Sequence, residues 1–489
     1  MAYNDGQKFG RRGVLVAGVG LLGVLGGGLP ALAASRSGVL ASSLPGTGQR
    51  AQIVRHPAVR AGYQFLDAAM DAYPHYGAFR LLQSYADEAG LFSTAYVYDS
   101  ALAVLAYLAE GSPASVERAQ LLGESLRFAQ EHDPGYRDGR LRQSYTVGPY
   151  VRNGVEQTNG FVDPDGVVNA GNAFDHSASY TGDQAWAGLA LLALARRGMN
   201  PAFAKAAVKL GTWIDSTCGT AQPLSGYRAG VGATGSVLTR TDTTHNAALA
   251  VLFGQLAALT GDHAWIDRRA KAARFVHQMW QPDGGFYASG SDDGEVVAQF
   301  PVTTETQTTA VLALHGAPRP ARTEALDWVT TELTVTDNGD RIHNAVPDGF
   351  TVSGVSFSDR SRLIDPDVPI EPGLQRPDPD AVWFEGVAQL AAALLARADT
   401  GDLEAANAQL NTLADVQRRL GQGQRIANKP LGQGFGIIAA SSPLHTGITD
   451  FGYYPARHAG TTAWFLLAAT GTNPFTIGDG SGWQIPDVV

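Results

Sequence analysis

The sequence is poor in cysteine and in charge. Cys218 is its sole cysteine, so the chain can form no internal disulfide and no cysteine-based metal site. Charged residues make up only 17% of the 489 residues, whereas 44% are apolar, and this balance excludes a disordered chain. The composition also excludes a collagen and a small disulfide scaffold. What remains is a large globular protein with enough apolar residues for a sizeable core.

Positive charge is the scarcer of the two signs. The 36 Lys and Arg residues are outnumbered by 46 Asp and Glu residues, which gives a formal net charge of −10. An acidic chain repels nucleic acid and anionic membranes. We therefore expect neither as a partner.

The first 33 residues are predicted to be an export signal. Lys8, Arg11 and Arg12 precede a moderately apolar, glycine-rich run over 14–29, and the sequence Ala31-Leu32-Ala33 that follows suits cleavage. The adjacent arginines favour the twin-arginine route. We expect the mature protein to be secreted, or to lie in the periplasm or cell envelope, without a stable membrane anchor.

A long-period repeat runs through the rest of the chain. Six times, an amphipathic segment is followed by a segment that is apolar nearly all round and rich in alanine. One polar face is typical of an outer helix, and all-round apolarity is typical of a helix buried on every side. The amphipathic segments lie at about 58–75, 115–132, 201–217, 263–281, 321–333 and 403–420, and the apolar segments at about 97–109, 182–197, 243–260, 304–315, 384–398 and 459–470.

This alternation predicts an all-α fold, a closed (α/α)6 barrel or toroid of six helical hairpins. An open helical solenoid is the alternative. Residues 34–57 are interpreted as a linker, 58–475 as one catalytic domain and 476–489 as a tail. The connections that lead into inner helices are long, above all 133–180, 334–383 and 421–458. Because long loops in compact domains are usually functional, we expect the site over the N-terminal ends of the inner helices.

Polar residues open every predicted inner helix. An acidic residue there also stabilises the helix dipole, and Thr181 with Gln184, like Thr304 with Gln307, fits the spacing of a capping box. Asp183 and Asp242 are therefore open to a structural interpretation. The openings are Tyr98-Asp99-Ser100, Gly182-Asp183-Gln184, Asp242-Thr243-Thr244-His245-Asn246, Thr304-Glu305-Thr306-Gln307, Trp383-Phe384-Glu385-Gly386 and Pro455-Ala456-Arg457-His458.

A funnel of carboxylates, hydroxyls and aromatic rings suits carbohydrate chemistry. Glycoside cleavage needs one protonated carboxyl and one ionised carboxylate, and we predict that Asp99, Glu305 and Glu385 supply them. Trp383 and Phe384 should desolvate Glu385 and raise its pKa, as an acid requires. The residues predicted to bind substrate are Tyr98, Asp183, Trp186, Asp242, His245, Trp383, Tyr454, Arg457 and His458.

The expected ring geometry favours inversion. Inner helices about 8–10 Å apart would form a ring about 20 Å across, and carboxylates from opposite hairpins, such as Asp99 and Glu305, would face each other across about 7–10 Å. That gap suits an intervening water. The first hypothesis is therefore a glycoside hydrolase that acts on an oligosaccharide or polysaccharide. The second is a polysaccharide lyase, whose proton-abstracting group could be Tyr453, Tyr454, Arg457 or His458. The third is a non-catalytic glycan-binding protein.

The order of short motifs resembles the inner-helix openings of bacterial six-hairpin glycosidase-like proteins over nearly the whole mature chain. The resemblance implies an (α/α)6 fold and carbohydrate activity, in a superfamily that holds hydrolases, phosphorylases, lyases and epimerases. Such relatives often carry Glu before His-Asn, where this chain has Thr244. The motifs are 98–102, 183–186, 244–246, 306–314, 383–389, and 462–464 followed by 473–475.

We predict no metal site and no cofactor. Two acidic segments, 163–166 and 291–295, offer oxygen ligands, but neither continues as a calcium loop. They are interpreted as turns. The histidines are scattered without zinc-site spacing.

Overall fold

Twelve α-helices in the described part of the chain alternate between outer and inner positions. Residues 54–73, 79–91, 93–149, 151–152, 155–156, 160–170, 177–298, 301–341, 344–370, 375–448 and 451–477 are described by the computed structural model. The outer helices are α1 (Pro57–Met70), α3 (Pro113–Glu131), α5 (Ala202–Cys218), α7 (Ala264–Gln278), α9 (Glu324–Glu332) and α11 (Asp402–Arg419). The inner helices are α2 (Val97–Glu110), α4 (Thr181–Arg196), α6 (Thr243–Thr260), α8 (Thr304–Ala313), α10 (Phe384–Arg397) and α12 (Ala459–Ala469).

The predicted all-α hairpins are confirmed. The proposed export signal at 1–33 lies outside the described residues, as do most of the linker and of the tail. No described helix is long and apolar enough to cross a membrane.

Burial separates the two sets of helices as their sequences predict. Every residue of α12 is buried, whereas α7 buries only Trp265, Ala272, Phe275 and Val276. Small residues let inner helices approach closely: a Cβ added to Gly188 of α4 would lie 2.7 Å from Leu252 Cδ1 of α6. The core is therefore the inner ring itself and the apolar faces packed around it.

A repeated backbone hydrogen bond closes this ring. The first N–H of each inner helix donates to a carbonyl in the loop that leads to the next inner helix, at 2.8 to 3.0 Å. The bonds are Val97 to Gln143, Thr181 to Ala229, Thr243 to Ser289, Thr304 to Phe357, Phe384 to Ala439 and Ala459 to Ser84. The sixth returns from α12 to the segment before α2, and α12 also packs against α2. The fold is thus a closed barrel and not an open solenoid.

Short strands occupy the long connections. They pair antiparallel in twos, as β1 with β2, β3 with β4, β5 with β6, β7 with β10, β8 with β9, β11 with β12, β13 with β14, β15 with β18 and β16 with β17. The strands are β1 (Thr94–Tyr96), β2 (Ser144–Thr146), β3 (Val151–Arg152), β4 (Val155–Glu156), β5 (Ser179–Tyr180), β6 (Gly230–Val231), β7 (Thr241–Asp242), β8 (Trp280–Gln281), β9 (Phe286–Tyr287), β10 (Gly290–Ser291), β11 (Thr334–Asp337), β12 (Val352–Val355), β13 (Arg425–Ile426), β14 (Lys429–Pro430), β15 (Ile437–Ile438), β16 (Leu444–His445), β17 (Gly452–Tyr453) and β18 (Arg457–His458). Several run directly into inner helices and so fix where those helices begin.

Side-chain amides tie three inner helices to their loops. In each case the amide accepts from the N–H and donates to the C=O of one loop residue, as a neighbouring strand would. Gln184 binds Leu141 at 2.8 and 3.0 Å, Asn246 binds Tyr227 at 2.9 and 2.9 Å, and Gln307 binds Tyr287 at 2.7 and 2.9 Å. We call these contacts the amide clamps.

The clamps correct the capping-box prediction. Helix α4 has no side-chain cap, and α8 is capped by Thr303, whose hydroxyl accepts from the Thr306 N–H. Thr181 donates instead to the Arg228 carbonyl, and Thr304 to the Ser356 carbonyl. The spacing fits a cap, but these side chains form hydrogen bonds with loop residues that are distant in sequence instead.

Loss of a clamp should destabilise the fold. Gln307→Ala leaves the N–H and C=O of Tyr287 unpaired in a buried site, and we expect the free energy of unfolding to fall by about 2–3 kcal/mol. Urea unfolding would measure it. Gln278→Ala, on the exposed end of α7, is the control and should change stability by less than about 0.5 kcal/mol. Equal losses in both variants would contradict a specific role for the clamp.

Candidate active site

Asp99 and Glu385 converge on His458. The two carboxylates come from the first turns of α2 and α10, and His458 immediately precedes α12. His458 Nε2 lies 3.3 Å from Asp99 Oδ2, and its Nδ1 lies 3.5 Å from Glu385 Oε2. The three residues are only 1%, 3% and 4% exposed for Asp99, Glu385 and His458, respectively. We call them the buried triad.

A glycine makes room for the buried triad. A Cβ added to Gly460 would lie 2.6 Å from Asp99 Oδ1, 2.8 Å from His458 Cε1 and 3.2 Å from Glu385 Oε2. A Cβ essentially never approaches other atoms as closely as the first two distances. The second residue of α12 must therefore lack a side chain for the three groups to meet.

His458 is held from several directions. Its Nδ1 accepts a hydrogen bond from the Thr461 N–H at 3.3 Å and lies 3.0 Å from Thr461 Oγ1. Its ring stacks on Tyr85 at 4.1 Å between centroids. Burial disfavours the charge on His458, but the carboxylates of Asp99 and Glu385 outweigh burial and raise its pKa. No local pattern in the sequence indicates Tyr85, which lies at the site through a backbone bridge to His458.

Glu385 receives two hydrogen bonds on one oxygen. The Tyr98 hydroxyl donates to Oε1 at 2.8 Å, and Gln389 donates to the same atom at 3.3 Å. Burial raises the pKa of Glu385 to about 7, with His458 lowering it and Asp99 raising it. The raised pKa agrees with the predicted desolvation. Near neutral pH this carboxyl can both hold and release a proton.

Glu305 and Asp183 are half-buried and belong to the same electrostatic neighbourhood. Burial raises the pKa of Glu305 to about 8, and Glu385 and Asp242 add to this. Burial also raises the pKa of Asp183 well above its ordinary value, helped by Asp99 and Glu305. Asp183 Oδ2 has no hydrogen-bond partner among the described residues, which argues against a purely capping role. Four carboxyl groups from four inner helices thus interact.

A second histidine lies at the opening of α6. His245 Nδ1 is 3.4 Å from Asp242 Oδ2, which is also 3.4 Å from an Arg240 guanidinium nitrogen. Burial lowers the pKa of His245, Asp242 opposes this and Arg240 adds to it. The ring covers Gly182 of α4, where an added Cβ would lie 2.5 Å from His245 Cδ2. His245 is therefore held as a half-buried imidazole whose neutral form is favoured.

Two of the residues predicted to bind substrate, Trp383 and Arg457, are buried among loop residues. Trp383 is covered by Phe357 and Tyr453, whose ring centroids lie 4.9 and 5.7 Å from its own. Arg457 is fully buried, and its guanidinium donates to the Gly432 carbonyl and the Gln422 side chain. These two side chains hold loops together, and their role in binding substrate stays a prediction.

Trp186 and Tyr454 are two further aromatic residues predicted to bind substrate. Trp186 packs edge-on to Tyr98, with ring centroids 5.6 Å apart, and is itself buried. Tyr454 is half-buried between β17 and β18. Trp464, which sequence reasoning left out of the site, donates to the Tyr98 hydroxyl at 2.8 Å. Trp464 lies in a helix that is apolar nearly all round, so its sequence predicts core packing and not this polar contact.

Within the described ranges, no group of three or more His, Cys, Asp or Glu side chains is arranged to hold a metal ion. The two acidic segments are turns, as predicted. The Gly166 N–H donates to the Asp163 carbonyl, and Asp293 accepts from the N–H groups of Glu295 and Val296.

The raised pKa of Glu305 predicts a pH-dependent stability. Unfolded Glu has a pKa near about 4.3, so between that value and about 8 the folded protein holds more protons and loses stability as pH rises. Glu305→Gln removes this loss. From about pH 5 to about pH 8, the variant should gain more than about 1 kcal/mol relative to wild type. Urea unfolding at each pH measures the difference, with exposed Glu332→Gln as control; a difference that does not grow with pH would contradict the burial of Glu305.

Comparison with solved structures defines the class of fold. A D-mannose isomerase superposes with a TM-score of 0.54 at 10% identity, covering 84% of this chain and 94% of the isomerase. A sugar epimerase from a ruminal bacterium gives 0.54 at 10% identity, over 84% of this chain and 98% of the epimerase. A family 76 glycoside hydrolase from a bovine Bacteroides thetaiotaomicron strain gives 0.51 at 10% identity, over 85% and 78%.

The chain therefore has the (α/α)6-barrel, six-hairpin glycosidase-like fold, as the sequence resemblance implies. No family model matches the sequence, and no curated protein matches it. The likeness lies in the fold, and the reaction must be argued from the site.

Proposed function

We propose that the protein is a carbohydrate-active enzyme that hydrolyses glycosidic bonds in an oligosaccharide or polysaccharide. The observation that carries the proposal is the cluster of Asp99, Asp183, Glu305 and Glu385, contributed by four inner helices. Two of these carboxyls have pKa values raised to about 7 and about 8. Glycoside hydrolysis needs such a pair, one protonated and one ionised near neutral pH.

The accessibility and pKa values of the carboxyls suggest their roles. Glu305 is half-buried and remains protonated at neutral pH, which suits a general acid that donates to the leaving oxygen. Glu385 titrates near neutrality and suits the base that activates water. The proposal thus gives Glu305 the acid role that the sequence analysis predicted for Glu385. Asp99 supports the base through His458.

The stereochemical outcome is proposed to be inversion. The proposed acid and base, Glu305 and Glu385, open the neighbouring inner helices α8 and α10, and the attacking water would lie between the sugar and Glu385. The distances from Gly460 place Asp99 Oδ1 and Glu385 Oε2 at most about 6 Å apart, closer to the spacing of about 5–5.5 Å for retention. His458, however, contacts both carboxylates and occupies the space that a sugar carbon would need.

A sugar isomerase or epimerase is the second candidate. Two histidines lie at inner-helix openings with opposite tendencies, since the pKa of His245 is lowered and that of His458 is raised. A neutral imidazole can accept a proton from a sugar carbon while a cationic one donates. Neighbours with this fold include a D-mannose isomerase and a sugar epimerase.

A substrate panel distinguishes these candidates. The purified protein would be incubated with oligosaccharides, polysaccharides and free monosaccharides in D2O, with products followed by NMR. New reducing ends support hydrolysis, and the first anomer formed reports inversion or retention. Deuterium incorporation at a sugar carbon without new reducing ends would instead indicate isomerase or epimerase chemistry. An unsaturated uronate would indicate a lyase, and binding without turnover a glycan-binding protein.

Export through residues 1–33 remains part of this proposal and would place the reaction outside the cytoplasm.

A further inference from the structure

Three inner helices meet in a chain of hydrogen bonds that ends on Glu385. Trp464 of α12 donates its indole N–H to the Tyr98 hydroxyl oxygen of α2, and Tyr98 donates to Glu385 Oε1 of α10, each at 2.8 Å. Gln389 adds a second donor to Oε1. The other oxygen, Oε2, faces His458 Nδ1 at 3.5 Å. The two oxygens of one carboxyl therefore have different surroundings.

The indole fixes the direction of the chain. An indole nitrogen can only donate, so the Tyr98 oxygen accepts from Trp464 and the Tyr98 hydrogen remains for Glu385. A proton on Oε1 would point toward the Tyr98 hydrogen. Either that proton or the Tyr98 hydrogen would then lack a hydrogen-bond acceptor in a buried site. An unmade hydrogen bond of this kind is costly. A proton on Oε2 avoids the conflict, because Oε1 remains a pure acceptor.

His458 lies beside Oε2 of Glu385. Because Nδ1 accepts the Thr461 N–H, the neutral ring carries its hydrogen on Nε2, which faces Asp99 Oδ2 at 3.3 Å. The single Nδ1 lone pair is thus directed at the Thr461 N–H, and Glu385 Oε2 lies 3.5 Å from the same nitrogen. Transfer of a proton from Oε2 to Nδ1 breaks one O–H bond, forms one N–H bond and requires the Thr461 N–H to release Nδ1. The net charge of the pair does not change.

We propose that Trp464 and Tyr98 are positioning residues that make Oε2, the oxygen facing His458, the one that carries the proton of Glu385. The significance for catalysis rests on the proposed function, in which Glu385 exchanges a proton during the reaction. The geometric claim concerns the protein alone. Its consequence is that protons enter and leave Glu385 on the side of His458 and Asp99.

Several other ionisable groups surround Glu385. They are Asp99 and Tyr98 from α2, Glu305 from α8, His458 before α12, and Tyr85 and Tyr453 from the loops. His458 and Tyr98 lower the pKa of Glu385, whereas Asp99 raises it. Among the hydrogen bonds of the described residues, Oε1 accepts only from Tyr98 and Gln389. Removal of the Tyr98 donor should therefore act on this oxygen specifically.

Infrared difference spectroscopy tests the proposal without a substrate. The full-length protein, labelled with 13C in its Glu carboxyls, is titrated with acid, and the band that disappears in Glu385→Gln is assigned to protonated Glu385. In wild type its C=O group should be Oε1, which accepts two hydrogen bonds. Tyr98→Phe removes one of them, so the C=O stretch should move to higher frequency and the titration midpoint should rise by about one pH unit.

Trp464→Phe provides a second, independent variant. Without the indole N–H, the Tyr98 oxygen is free to accept a hydrogen bond from a proton on Oε1, so we expect a second carboxyl band and a smaller rise of the midpoint. Tyr107→Phe is the matched control, because Tyr107 is on the same helix as Tyr98 but donates to Asp67 at 2.7 Å. It should leave the Glu385 band in place.

The opposite results are equally clear. An unchanged C=O frequency in Tyr98→Phe would place the proton on Oε1 and overturn the proposal. If that variant does not fold, a single unshifted band in Trp464→Phe would do the same. These readouts need no turnover, so a protein that hydrolyses no glycan can still pass this test, and an active hydrolase can still fail it.

Discussion

Replacement of Glu385 by glutamine is expected to lower kcat/KM by about 10³-fold on whichever glycan the wild type cleaves. The amide keeps the size of the side chain and an oxygen that can accept from Tyr98 and Gln389. It removes the titratable proton from a group whose pKa is raised to about 7. Steady-state kinetics of wild type and variant would give the ratio.

The fold of this variant should survive. Burial already disfavours the charge of Glu385, so a neutral amide should not reduce the free energy of unfolding by more than about 1 kcal/mol. Glu332→Gln, on the exposed end of α9, controls for the loss of an acidic residue. A Glu385→Gln variant with activity near that of wild type would remove Glu385 from the catalytic machinery.

The second large effect is expected from Gly460→Ala, a change of one methyl group. The new Cβ would overlap Asp99 Oδ1 and His458 Cε1 and press on Glu385 Oε2, so the buried triad must separate. Displacement of catalytic groups by about 1 Å can cost about 10²-fold in rate, and we expect at least that loss in kcat/KM. Urea unfolding should show a decrease of about 1–3 kcal/mol from overpacking.

Gly254→Ala is the matched control for this variant. Gly254 lies within the inner helix α6, and its nearest neighbours are atoms of the flexible Arg269 side chain at 3.2 and 3.4 Å. Alanine there should leave activity intact and favour the helix by up to about 1 kcal/mol. If Gly460→Ala retained full activity as well, convergence of Asp99, His458 and Glu385 would not be needed for the reaction.

The fold could be predicted because its signals are local. Helical periodicity records, residue by residue, which faces are buried, and α12 and α7 show the two extremes that the sequence distinguishes. The position of Asp99 and Glu385 followed from the same pattern, since both open inner helices whose starting ends share one side of the ring. Periodicity needs no knowledge of distant partners.

The parts that could not be predicted all depend on residues far apart in sequence. Gln184 fits a cap, but its amide binds Leu141, 43 residues earlier in the connection that leads into α4. Trp383 packs against Phe357 and Tyr453, which come from other parts of the sequence. Tyr85 contacts His458 only once the ring has closed. Such contacts are decided by loop packing, which a single sequence does not encode in any local pattern.

The six backbone bonds that join the hairpins involve main-chain atoms alone, whichever side chains open the inner helices. In these residues the backbone atoms close the ring, and the side chains are left to form the site. The second position of an inner helix holds Tyr98, Gly182, Glu305, Glu385 or Gly460 without altering the hydrogen bond beside it. A scaffold of this kind can exchange one reactive group for another, hairpin by hairpin, while the rim that holds them stays the same.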